Sequence, residues 1–169
     1  LFVQNFRRMP GAPADPSPAL IKAALMAVGH DLAGNQDADG ATLGHRPDDK
    51  QGWGRLDLSA LVEPPVSVIY YDQARVFEES GENWLREVTP VDPGEPMRIM
   101  LVWTDAPGHG LGGSTPAWNN NLDLVVEAGQ ETRCVLVDQL LGKQEIVIKS
   151  LGAAFHQNPA LAGAAILGD

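Results

Sequence analysis

The chain has 169 residues, 44% hydrophobic and 20% charged, with a net charge of −10. That composition belongs to an ordinary soluble protein with room for one good core or two small ones. It argues against a nucleic-acid partner and against binding to an anionic membrane, since no basic stripe exists to collect phosphates. The acidity is uneven, with seven acids and six bases in residues 1–60 but fifteen acids and six bases in residues 61–169. Eighteen glycines and thirteen prolines, scattered without a period, read as many turns between short elements.

Residues 1–9 look like the tail of an apolar helix, broken by the loop Pro10 to Pro16. A full helix is predicted next. Ser17 is placed to cap it, Pro18 suits the first helical position, and Gly29 is a natural stop. Leu20, Ile21, Ala24, Leu25 and Val28 share one side at helical spacing.

From Asp31 to Asp49 the sequence is polar and predicts a loop. Within it Asn35, Asp37, Asp39 and Gly40 reproduce the start of a calcium loop, with oxygen donors at alternate residues followed by a turn glycine. The closing position holds Arg46 in place of a bidentate glutamate, so this is not a proper EF-hand. Two readings stand: calcium held by Asn35, Asp37 and Asp39, or a solvated turn whose acids bond their own backbone. The turn acids Asp105 and Asp123 are further calcium candidates, and no other cofactor is expected.

In Gln51 to Leu58, Gly52 and Gly54 flank Trp53 and predict a tight backbone path against a large apolar side chain. Asp57 is placed to cap a short helix over Leu58 to Val62. Pro64-Pro65 then marks an expected domain boundary, dividing 1–63 from 64–169.

Beyond it the periodicity turns extended. Val66 to Tyr71 is a β-branched and aromatic run. Met97, Ile99, Leu101 and Trp103 alternate against Arg98, Met100, Val102 and Thr104, and Leu122, Leu124 and Val126 repeat the pattern. Cys134 to Val137 and Ile146 to Ile148 are further strand candidates. Short strands separated by turns, with little room for crossover helices, point to an antiparallel sandwich. Cys134 is the only cysteine and reads as a buried thiol, and the run Ala160 to Leu167 is too short for a membrane span.

The helix Pro16 to Leu25, the loop after it and Gln51 to Leu58 together resemble subtilisin-like serine peptidases, in the last part of their catalytic domain. Glu95 to Gly108 and Trp118 to Val126 resemble the jelly-roll domain that follows it in one branch of that family, with Trp103, Asn120, Asn121 and Asp123 in the matching motifs. The likeness covers about residues 16–128, and residues 129–169 match poorly. It implies a mixed fold: the C-terminal remnant of an α/β subtilisin-like domain, then an antiparallel, jelly-roll-like β-sandwich. It also implies a fragment of a secreted serine endopeptidase, a targeting segment upstream, and two partners: the rest of the protease domain and peptide substrates.

No catalytic residue is expected in this chain. In the resembled family the nucleophile motif precedes the matched helix, and none of Ser17, Ser59, Ser67, Ser80, Ser114 and Ser150 sits in a nucleophile elbow. His30, His45, His109 and His156 show no zinc spacing, and a His109–Ser114 dyad lacks a third member. Trp53 and Trp103 read as core, Trp84 and Trp118 as turn-adjacent. The alternative function is a non-catalytic acidic β-sandwich binding module. A last expectation concerns the helix at 18–28. With the catalytic sheet missing, its apolar face needs another partner, so the chain alone associates or loses order before residue 60.

Overall fold

The computed structural model describes residues 1–12, 15–88, 97–105, 119–128, 131–134, 144–150 and 160–167, and for residues beyond 126 it is the backbone that is described. Among the described residues three helices, α1 (Phe2–Phe6), α2 (Pro18–Ala27) and α3 (Leu58–Val62), precede seven strands. The strands are β1 (Val68–Phe77), β2 (Asn83–Val88), β3 (Arg98–Thr104), β4 (Leu122–Ala128), β5 (Glu131–Cys134), β6 (Gln144–Ser150) and β7 (Ala160–Leu167).

Local chemistry sets the helix starts. Ser17 holds an extended backbone and its hydroxyl accepts the Leu20 amide at 3.1 Å, while Pro18 occupies a position that needs no N–H donor. Asp57 does the same for α3, its carboxylate accepting the Ser59 and Ala60 amides.

The strands form two antiparallel sheets. One runs β1-β7-β3 and the other β2-β6-β4-β5. Because β7 is antiparallel to both neighbours, β1 and β3 run the same way and are joined through β7. Similarly β6 links β2 to β4. Late strands are therefore threaded between early ones.

The alternation in β3 decides what each face meets. Ile99, with the partly buried Leu101 and Trp103, joins Phe77, Val88, Met97, Leu122, Leu124 and Val126 in the apolar layer between the sheets. Met100 and Val102 point the other way, into a layer with Phe2, Phe6, Leu20, Ala23, Ala24, Ala27 and Leu61. Phe2, Phe6 and Tyr70 pack ring against ring there, with centroids 5.7–5.9 Å apart. The order of layers is thus helices, three-stranded sheet, four-stranded sheet.

In the structure α2, expected to need a substitute for the missing catalytic sheet, finds one within the chain. Its apolar side lies on the outer face of the three-stranded sheet, and Leu20, Ala23 and Ala27 are wholly inaccessible to solvent. The buried stripe is also rotated from the expected one. Ala19, Leu20, Ala23, Ala24 and Ala27 face inward, whereas Ile21 and Leu25 are only half-buried. Alanines let the helix approach the sheet closely, and burying Leu20 alone contributes about 1.5–3 kcal/mol. Val66, Val68 and Tyr70, from beyond Pro65, share this layer with the helices.

Two further corrections concern strands. β1 runs on to Phe77, with an irregular register between Asp72 and Val76 and Gln73 at φ 50°. Trp84, read as turn-adjacent, lies inside β2. It meets the Tyr71 ring edge-on at 5.0 Å and carries the Arg86 guanidinium over its face at 4.3 Å.

Candidate functional site

The densest polar assembly among the described residues gathers where α2 ends. The chain leaves the helix at Gly29, runs through the 31–51 loop and returns alongside itself. His30 and Arg55 exchange both backbone hydrogen bonds, at 2.7 and 2.9 Å. Two glycines make this approach possible. A Cβ on Gly29 would sit 2.2 Å from the Trp53 carbonyl oxygen, and one on Gly54 would sit 2.4 Å from that of His30. Gly54 also needs φ +85°, a backbone favoured by glycine. The expected tight path at Gly52, Trp53 and Gly54 is therefore a contact of backbone with backbone, with Trp53 half-buried against the helical layer.

Asp31 is the hub of this loop. Its carboxylate meets the His45 ring Nδ1 at 2.8 Å and accepts the Ala33 amide at 3.0 Å, the Arg46 amide at 3.4 Å and the Gln51 side-chain amide at 3.3 Å. The His45 ring, then these donors, holds the Asp31 carboxyl down at about 2, against an opposing effect of desolvation. Asp48 accepts the Gln51 and Lys50 amides, and the first of these does most to keep its carboxyl below the usual range.

The calcium-like stretch has its own internal partners. Asp37 accepts the Ala41 and Asp39 amides, both at 2.9 Å, and these bonds lower its carboxyl, the Ala41 amide most. Asn35 donates to the Leu32 carbonyl. The Lys50 ammonium stands 3.4 Å from Asp37 and 3.9 Å from Asp39, so a cation of the chain already faces both acids. Among the described residues no group of three or more His, Cys, Asp or Glu side chains is arranged to hold a metal ion.

Asp105 and Asp123, the other two calcium candidates, sit elsewhere. Asp105 follows β3 and accepts the backbone amides of Asn119 and Asn120 and the Asn120 side-chain amide, the last at 2.6 Å. Asn120 is buried, and this clamp fixes the entry of the chain into β4. Asn121 and Asp123 lie half-buried just after it, with Asp123 in register with Lys149 of β6. Asp31, Asp37 and Asp39 thus share one loop, whereas Asp105 and Asn120 form a separate clamp between the two sheets. His109, Ser114, Trp118 and His156 lie outside the described residues.

Reading the sequence missed the two arginines at the end of α2. Arg46 donates through Nη1 to the Met26 and Trp53 carbonyls, at 3.2 and 3.0 Å, and Arg98 donates to the Ala27 carbonyl. It also missed Asp72, which reaches from β1 to accept the Ser17 amide at 2.7 Å. Nothing local in the sequence links Arg46 to residue 26 or Arg98 to residue 27, which lie 20 and 71 positions away.

Comparison with known families finds that residues 110–169 match the family model described as a CheW-like domain. The match corrects the identification with subtilisin-like serine peptidases. It overturns the reading as a protease fragment and its hydrolase, protease and subtilisin vocabulary, together with the alternative of an acidic β-sandwich binding module. It equally overturns the expected partners, the remainder of a protease domain and peptide substrates. There is a physical reason why the resemblance misled. The motifs that carried it do general structural work here: Ser17-Pro18 starts a helix, Gly54 admits a neighbouring backbone, and Asp105 with Asn120 pins a strand entry.

Proposed function

We propose that this protein is a signalling adaptor of the chemotaxis-coupling type, which joins a chemoreceptor to the CheA kinase through its CheW-like segment. The observation that carries the reading is the match over residues 110–169. Within it lie β4, β5, β6 and β7, which include three of the four strands of one sheet and the central strand of the other. An adaptor acts by presenting surface. What it needs is a stiff scaffold that holds two partners in fixed relation, with interfaces of roughly 1,200–2,000 Å² each.

The scaffold suits that task because the matched strands are not a separate lobe. β6 is hydrogen-bonded to β2 and β7 to both β1 and β3, so residues from outside the match brace those inside it. Binding of the full chain to a chemoreceptor cytoplasmic segment and to CheA, measured separately and together, tests the reading. Binding to each, with both held in one complex, is the expected result.

A further inference from the structure

We draw no further inference here: the strongest candidate, the row of three glutamates that strand register sets side by side across the four-stranded sheet (Glu87 of β2, Glu145 of β6 and Glu127 of β4), is an acidic cluster, and nothing in the structure shows what covers it.

Discussion

The Asp72 carboxylate accepts the backbone amide of Ser17 at 2.7 Å, across 55 positions of sequence. Ser17 in turn caps α2, so one strand acid fixes the start of the helix that covers its own sheet. Asp72 can reach because it follows Tyr71 in β1 and so points to the helical side, just before the register break. Ser17→Ala should destabilise the chain by about 1 kcal/mol, the usual loss of a helix cap. Asp72→Ala should cost about as much, or somewhat more, because it removes a charge-assisted bond. Urea denaturation of both variants checks this, and their double mutant should fall short of the sum, since the two side chains serve one helix end.

Glycines divide into two classes by what a Cβ would strike. Gly29→Ala and Gly54→Ala force a methyl group onto a backbone oxygen and should each cost more than about 2 kcal/mol. Gly34→Ala and Gly40→Ala open onto free space and carry only the strain of positive φ, about 1 kcal/mol. The contrast appears as two groups of melting temperatures.

The titration of Asp31 gives a pH signature. Its carboxyl is lowered from 3.8 to about 2, so the folded state favours the ionised form. The resulting stabilisation is complete above the unfolded value and disappears as pH falls through the folded one. Side-chain carboxyl NMR should therefore find an Asp31 midpoint near 2, and His45→Gln should raise it, because the His45 ring is the largest cause. A midpoint close to 3.8 in the wild type would contradict this assignment.

The loop at Asn35, Asp37 and Asp39 should bind calcium poorly. Lys50 already faces Asp37 and Asp39, and Asp37 is engaged by two amides. Millimolar calcium is expected to leave the wild-type melting temperature unchanged. A rise in the wild type would restore the calcium reading of this loop.

Much of the local structure was legible in the sequence, and most of the long-range structure was not. Ser17, Pro18 and Asp57 announce their helices because a cap acts within three residues. The alternation of Ile99, Leu101 and Trp103 marks the face of β3 that meets the other sheet, because side-chain direction is a property of the strand itself. Met100 and Val102, on the opposite side, show that both faces are covered, yet sequence alone does not say that α2 is the cover. Nor does it show that β7 enters between β1 and β3, or that Arg98 reaches residue 27. In the candidate site, the acids of the 31–49 loop were visible, but their hydrogen-bond partners were not. Lys50 looks like any surface lysine until the loop closes around it.

The shared sheet makes a further prediction. Met100→Ala removes a buried side chain from the layer between β3 and α2 and should cost about 2–5 kcal/mol. Amide exchange should quicken together in 18–27 and in 160–167, because α2 and β7 both rest on β3. Faster exchange in 18–27 only would mean that β7 is stable without the packing of α2 on β3.

If this chain couples a chemoreceptor to CheA, as proposed, the folded chain binds both. The chain is immobilised and exposed in turn to purified CheA and to a chemoreceptor cytoplasmic segment, beside an Asp105→Ala variant that loses the clamp at the entry to β4. The account predicts saturable binding of both partners to the wild type, and weaker binding of at least one to the variant. A folded wild-type chain that binds neither at tens of micromolar (a standard free energy of only about −6 to −7 kcal/mol) would contradict it.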